Sequence, residues 1–450
     1  MRQHSAKTLA LAVCGCTALW SVQAAAQSGN NQPTLEQLQL QIQQLQQQVQ
    51  DMQVQQQQAR HQQQQLQTQQ QTTSTAQKKS DKSLTITGGV VGEYQAFLDH
   101  ANARDQSTAG NLILDYFDLG VAGNAGHGIT FAADYRWSPS GNIGGNSNSF
   151  LHKGWAAYNF GAGDSSQIKG GFFQVPYGNL AYGYQSFWAP ARYYLSFNDD
   201  QAAGLGYKYK ANGLRFDIAA FKNDDFGQAA TYGANPAGDF QRINGGAVRL
   251  GYTFNHGNDN TLNVSASVRG GQLNVEAPES DRDDYGTHWA AALAATANIG
   301  LWTLQGQINS YDYNVPDNLG QDPNTITFEN YGFQYNVPAS GQMYSFSFAR
   351  AIPVSLGPIS SFSVYDDIDY LDIGDPYTGT VNLDGDTGVI DDNTVFNVAG
   401  VSMAAGPIMV WAEIISAKNG ALGFDGPNDG DWHHRFNLTA AYYFSGDLIQ

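Results

Sequence analysis

The 450-residue chain carries 22 Lys and Arg against 40 Asp and Glu, a formal net charge of −18, together with 50 Gly, 24 Tyr and 23 Phe. So acidic a chain is a poor partner for nucleic acid, whose phosphates need clustered cations. No apolar run reaches the ~18 residues of a membrane-spanning helix, and with both cysteines at Cys14 and Cys16 the chain beyond them has no thiol, disulfide or Cys-based metal chemistry.

Residues 1–26 read as a secretory signal peptide. Arg2 and Lys7 are basic, Leu9 to Trp20 is apolar, and Ala24 and Ala26 bracket a cleavage site. Lipid attachment at Cys14 would need small residues before it, and Val13 fits poorly. Cleavage removes two of the 22 basic residues and no acidic one, leaving a net charge of −20.

Residues 27–80 form a Gln-rich segment and linker. Leu35, Leu38, Ile42, Leu45, Val49 and Met52 follow 3-4 spacing, continued by Gln56, Ala59, Gln63 and Leu66. These are the a and d positions of a coiled coil. A helix from 35 to 66 would be about 48 Å long at 1.5 Å per residue. It cannot bury its stripe alone, so the chain is expected to oligomerise. TTSTAQKKSDKS (72–83) is a polar linker.

From residue 81 to 450 the period is two. Ile129, Phe131, Ala133, Tyr135 and Trp137 alternate with Thr130, Ala132, Asp134 and Arg136. Leu205, Tyr207 and Tyr209 lead through Asn212-Gly213, the strongest short hairpin signal, into Leu214, Phe216 and Ile218. One face suits lipid and the other water. Short links such as 211–213, 255–260 and 404–407 alternate with long ones such as 176–201, 223–242, 272–287 and 370–392, the asymmetry of an outer-membrane barrel.

Strands are predicted near 84–98, 111–123, 128–137, 151–160, 166–175, 202–210, 214–222, 243–254, 261–271, 288–298, 301–312, 342–352, 358–369, 393–404, 407–417 and 433–444. That is an all-β, 16-stranded antiparallel transmembrane barrel, with 18 strands as the alternative. FENYGFQYNVP (328–338) also alternates, but counting it as a wall strand would move a long acidic stretch to the side of the short links. It is therefore assigned to an outer loop.

The segment IKGGFFQVPYGNLAYGYQSFWAPAR (168–192), with G-x-F-x-V-P-Y-G from Gly171 to Gly178, resembles the phosphate-selective porin O/P-like family of outer-membrane channels. GPIMVWAEII (406–415), with Glu413, is similar to the penultimate strands of that group. The resemblance implies a trimeric 16-stranded porin whose third outer loop folds into the lumen, and hence three coiled-coil strands in the periplasm. It does not carry phosphate selectivity, because the basic ladder of the phosphate channels is missing. Loop 176–201 offers one cation, Arg192, beside Asp199 and Asp200.

The loop is rich in aromatics, Trp188, Tyr193 and Tyr194 among them. They serve either as the packing face of a loop against the wall or as an aromatic track for sugars and organic solutes. Arg136, Lys208, Lys210, Arg215, Arg249, Arg269 and Arg435 fall on the inward register, where with Asp199 and Asp200 they would set a transverse field across the constriction. Asp384, Asp386, Asp391 and Asp392 invite a weak calcium reading, but the EF-hand frame fails for want of its Gly and terminal Glu. Asp431, His433 and His434 sit together without a serine at triad spacing. No catalytic residue, cofactor or metal site is assigned.

Tyr442 and Phe444, at the end of the last alternating run, are expected to face lipid and to signal to the barrel-assembly machinery. Ser445–Gln450 is expected to be a short periplasmic tail, and Phe444→Ala to impair assembly more than deleting it. The expected function is passive diffusion of small hydrophilic solutes across the outer membrane of a Gram-negative bacterium. The alternatives are a channel selective for sugars or aromatic solutes, and an envelope tether through the coiled coil. The expected partners are outer-membrane lipids, two further copies of the chain, small solutes and the assembly machinery.

Overall fold

The computed structural model describes residues 82–449, except 99–109, 139–147, 181–182, 229, 258–259, 277–284, 317–321, 381–386 and 420–427. The signal peptide, the heptad segment, Asp384 and Asp386 lie outside the described residues. Sixteen antiparallel strands close into a barrel. Each wall strand pairs with the next wall strand in the chain, and the last, Trp432–Ile449, pairs with the first, Ser83–Phe97. Every predicted strand has its counterpart in the wall, most of them a few residues longer.

The alternation explains the closure. Leu119, Val121, Ile129, Leu205, Ile218 and Leu250 point outward and are exposed, whereas their neighbours turn into the barrel. Aromatics crowd both rims of the outer face: Trp137, Trp289 and Trp432 at the end of the long loops, and Tyr158, Tyr252 and Tyr442 at the end of the short turns. From Trp432 to Tyr442 is ~33 Å along the strand and, at a ~40° tilt, ~25 Å in height. That is the height of the apolar band of an outer-membrane barrel. The tight turn Asn212-Gly213 has positive φ at both residues, 50° and 85°, the mirror-image turn whose twist matches the strands it joins.

Two expectations on the strands change. Of the expected tail Ser445–Gln450, residues 445–449 are not free, because the last strand runs on to Ile449 and pairs Ser445, Gly446, Asp447 and Ile449 with the first strand. Thr85 Oγ1 also donates to Asp447 Oδ1 at 2.8 Å. The alternation therefore ends before the strand does, since backbone pairing needs no apolar side chain. At this seam Phe444 lies over Gly88 on the outer side and Tyr443 over Gly89 on the inner side, where any Cβ would collide with the rings.

Segment 328–338 stays out of the wall, as expected. It is not one strand, however, but part of a hairpin of Thr325–Asn330 with Phe333–Pro338, extended by Asn235–Pro236 into a three-stranded sheet. Its turn places Tyr331 and Gly332 at φ 54° and 77°. Tyr331 is held there by Arg136 Nη1, which donates to its hydroxyl at 2.7 Å, and by Asn148 Nδ2, which donates to its carbonyl. The largest apolar core lies inside the barrel, where this sheet and the loop 175–200 pack on inward residues such as Phe150, Leu273, Met343, Phe396 and Ile415.

Candidate functional site

After the strand Ser166–Gln174 the chain does not rise to the outside but turns along the inner wall. Its contacts trace the path. Gly178 N donates to Ser267 Oγ at 2.9 Å, Asn179 N to Gln307 Oε1 at 2.8 Å, and Tyr177 OH to Asn309 Oδ1 at 3.2 Å. Further on, the amides of Gln185 and Ser186 donate to Asp367 at 2.9 and 2.7 Å, and those of Phe187 and Trp188 to Glu413 at 2.7 and 3.1 Å. The Arg435 guanidinium stacks over Trp188 at 4.0 Å. Irregular backbone at membrane depth must satisfy its polar groups on protein, and these wall carboxylates do so.

Arg192 ends this run. It has no exposed surface. Its backbone N and its Nε donate to Asp369 at 2.8 Å each, and its Nη1 donates to Gly183 O at 2.7 Å and Ser347 Oγ at 2.9 Å. The single cation of the loop is thus turned into the wall. Asp200 is a second hub, taking Arg269 Nη1 at 2.8 Å, Arg242 Nη2 at 3.1 Å and the Ser196 hydroxyl at 2.6 Å. Arg242 also holds Asp224 at 2.8 Å. Asp199 accepts from Tyr232 OH at 2.8 Å and Gln174 Nε2 at 3.3 Å. Burial pushes its carboxyl up to about 6, against the pull of Tyr232, Lys153 and Arg136; burial likewise raises Asp224 to about 6 despite Arg242.

The other predicted residues divide by side-chain type. Trp188, Tyr193 and Tyr194 are all buried; Tyr193 OH donates to Asn330 Oδ1 at 3.1 Å, and Tyr335 OH donates to Tyr194 O at 2.9 Å. Tyr193 and Tyr194 thus meet the loop sheet, whereas Trp188 lies against Arg435 of the last wall strand. Arg136 pairs with Asp118 at 3.2 Å and lies over Tyr116 at 3.8 Å. Arg215 forks onto Asp217 at 2.7 and 3.0 Å, and Arg249 Nε donates to Gly178 O at 2.9 Å. Each of these arginines is bound. The side chains of Lys208 and Lys210, by contrast, make no ion pair or hydrogen bond among the described residues.

Residues missed in the sequence complete the site. Lys153 and Lys169 stand on the inner face of the strands next to Lys208, so cations descend from the level of the loop toward the short turns. Lys153 is likewise without ion pair or hydrogen bond among the described residues, and the Lys169 ammonium sits 4.3 Å from the Trp155 ring centre. Lys169 was legible from parity, being next to outward Ile168. Lys153 was not, because a register shift between Asp134 and Tyr135 resets the parity of its strand partner. Asp367 and Asp369 flank outward Ile368 on the strand predicted over 358–369, which runs on to Ile373, so parity made them legible although they were passed over as part of the acidic stretch 365–393.

No protein-family model matches the chain, and no curated protein matches it. Solved structures do. The chain superposes on the outer-membrane channel DcaP of Acinetobacter baumannii with a TM-score of 0.50 at 13% identity, covering 83% of this chain and 100% of that one. It matches the OmpF complex with daunomycin from Salmonella typhi with a TM-score of 0.49 at 14% identity, over 80% and 97% of the two chains. The trimer form of OmpT from Vibrio cholerae gives 0.49 at 11% identity, over 81% and 100%. At these identities the likeness to DcaP establishes the fold: a 16-stranded barrel of the outer-membrane channel type.

Proposed function

We propose that the chain is an outer-membrane porin through which small hydrophilic solutes diffuse passively, in a lumen narrowed by the loop 175–200. The observation that carries the reading is the inward course of that loop. It is tied by backbone amides to Asp367 and Glu413 inside a barrel whose outer face is apolar. A loop fixed in this way narrows the lumen without closing and opening on its own, so the expected conductance is steady. Planar-bilayer recording from purified folded protein tests this; absence of channel steps would overturn it.

The Arg-to-carboxylate pairs cancel, and the side chains of Lys153, Lys208 and Lys210, without ion-pair partners among the described residues, favour anions over cations. They do not favour phosphate, because the loop's one arginine is spent on Asp369. The resemblance to the phosphate channels is therefore kept for architecture, including a trimeric state, and not for selectivity. Lipids on the outer face and assembly through Tyr442 and Phe444 belong to the same reading. The reading is non-enzymatic. His434 Nδ1 lies 2.9 Å from Ser416 Oγ, and His433 Nε2 lies 3.1 Å from Asp429. These are different imidazoles on opposite faces of one strand, so these contacts do not align a serine, a histidine and a carboxylate in series. The tether reading rests on the heptad segment, and deleting 32–77 tests it: a pore keeps its conductance, whereas a tether loses its envelope phenotype.

A further inference from the structure

Beneath the loop, on the side of the short turns, lies a cavity of about 90 Å³ lined by Lys169, Lys208, Arg215, Phe173, Pro176 and Leu180. Its two sides differ in chemistry. The wall side presents the ammonium groups of Lys169 and Lys208, with Arg215 beside them. Arg215 is held by Asp217 at 2.7 Å, so the two lysines carry the excess positive charge. Lys208 makes no ion pair or hydrogen bond among the described residues, and Lys169 rests against the rings of Trp155 and Phe173, at 4.3 and 5.5 Å. The loop side presents Pro176 and Leu180, and Phe173 closes one end.

We propose that this cavity is a binding site for short-chain organic carboxylates, a subsite of the pore proposed above. The carboxylate accepts from the Lys208 and Lys169 ammonium groups, and the alkyl chain lies against Phe173, Pro176 and Leu180. Three physical points select this class. Two ammonium groups around a partly desolvated pocket attract an anion and repel a cation. An apolar roof favours a solute with an apolar body over a fully hydrated inorganic anion. Size sets the length: a cavity of ~150 Å³ takes benzene, so 90 Å³ suits a carboxylate with a few carbons. Gly206 belongs to the same wall, where a Cβ would meet Phe173 Cζ at 3.1 Å, so the absent side chain gives the Phe173 ring room.

The test uses the full-length protein in detergent, titrated calorimetrically with butyrate and, separately, with inorganic phosphate. Saturable butyrate binding is expected, with phosphate at least tenfold weaker. Lys208→Gln and Lys169→Gln are each expected to weaken butyrate binding at least tenfold, and Leu180→Ala severalfold without creating a preference for phosphate. Heat-modifiable migration on gels controls for folding of each variant. Equal affinity for butyrate and phosphate, or unchanged butyrate binding in both lysine variants, would overturn the site. Bilayer recording of the same preparations separates this proposal from the porin reading. Channels without saturable butyrate binding remove the site and leave the pore, whereas binding without channels does the reverse.

Discussion

Two parts of the inner wall use charge in opposite ways. On the strands Ile359–Ile373 and Ile408–Lys418, charged groups face the loop and are consumed by it. Asp367, Asp369 and Glu413 are essentially without exposed surface, and each accepts hydrogen bonds from the loop backbone. On Asn148–Phe160, Ser166–Gln174 and Gln201–Ala211, Lys153, Lys169 and Lys208 face space and are only half-buried. The first region fixes a structure; the second leaves charge available. The difference follows side-chain chemistry. Arginine and carboxylate form planar, multidentate pairs that survive burial, whereas an ammonium on a flexible stem remains strongly hydrated and adaptable.

Substitutions separate the two regions, and the locked side should respond most. Asp369→Ala leaves the buried Arg192 guanidinium with only the Asp367 carboxylate, 3.9 Å away, a loss of about 3 kcal/mol. The expected outcome is a lower midpoint of heat modification and noisy, subconductance-rich channels; unchanged thermal migration would show that the loop is held elsewhere. Glu413→Gln keeps the shape but weakens the bonds from the Phe187 and Trp188 amides, for about 1.5–3 kcal/mol. Its expected mark is flicker in single-channel records with little change in mean conductance.

On the open side, Lys153→Gln should leave stability alone and shift the reversal potential in a salt gradient toward cations. Removing one charge at about 4 Å from a passing ion is worth about 1 kcal/mol, or ~fivefold in permeability ratio. A destabilised barrel with unchanged selectivity would invert the comparison. The smallest effect is expected from pH. Asp199 has its carboxyl raised to about 6, so the folded protein keeps a proton there that an unfolded chain would give up above the ordinary carboxylate range. Its contribution to stability is therefore greatest at low pH and is lost as the pH rises through about 6. Protonation also removes a negative charge near Lys153 and Arg136, so anion preference should rise modestly below pH 6. Asp199→Asn should abolish that step, measured as reversal potential between pH 5 and 7.5.

Much of this molecule was written in period and spacing. The wall was legible because each strand must alternate to divide lipid from lumen, and short and long links must alternate for the chain to go up and down. Segment 328–338 was assignable to an outer loop from the same bookkeeping of sides, though its hairpin with a turn at Tyr331-Gly332 was not, since tyrosine gives no signal for positive φ. The end of the last strand was hidden for a related reason. Ser445 to Asp447 pair through the backbone alone, and no side-chain pattern marks that.

The site was harder to read because its partners are far apart in sequence. Arg192 was visible as the loop's one cation, but nothing near it announces that Asp369, 177 residues away, would capture it. The aromatic residues of the loop likewise suited a solute track and a packing face, and nothing near them announces Asn330 as the partner of Tyr193 or Tyr335 as that of Tyr194.

The sequence by itself determined the barrel, its strand number and which face meets lipid, because alternation and link length are local properties imposed by the bilayer on every strand. Only the tertiary structure decided which inward charges are spent and which are free. That choice depends on how a loop lies across strands distant in the chain, where burial drives Arg192, Arg242, Arg249 and Arg269 onto carboxylates or carbonyls and spares the lysines that stay wet.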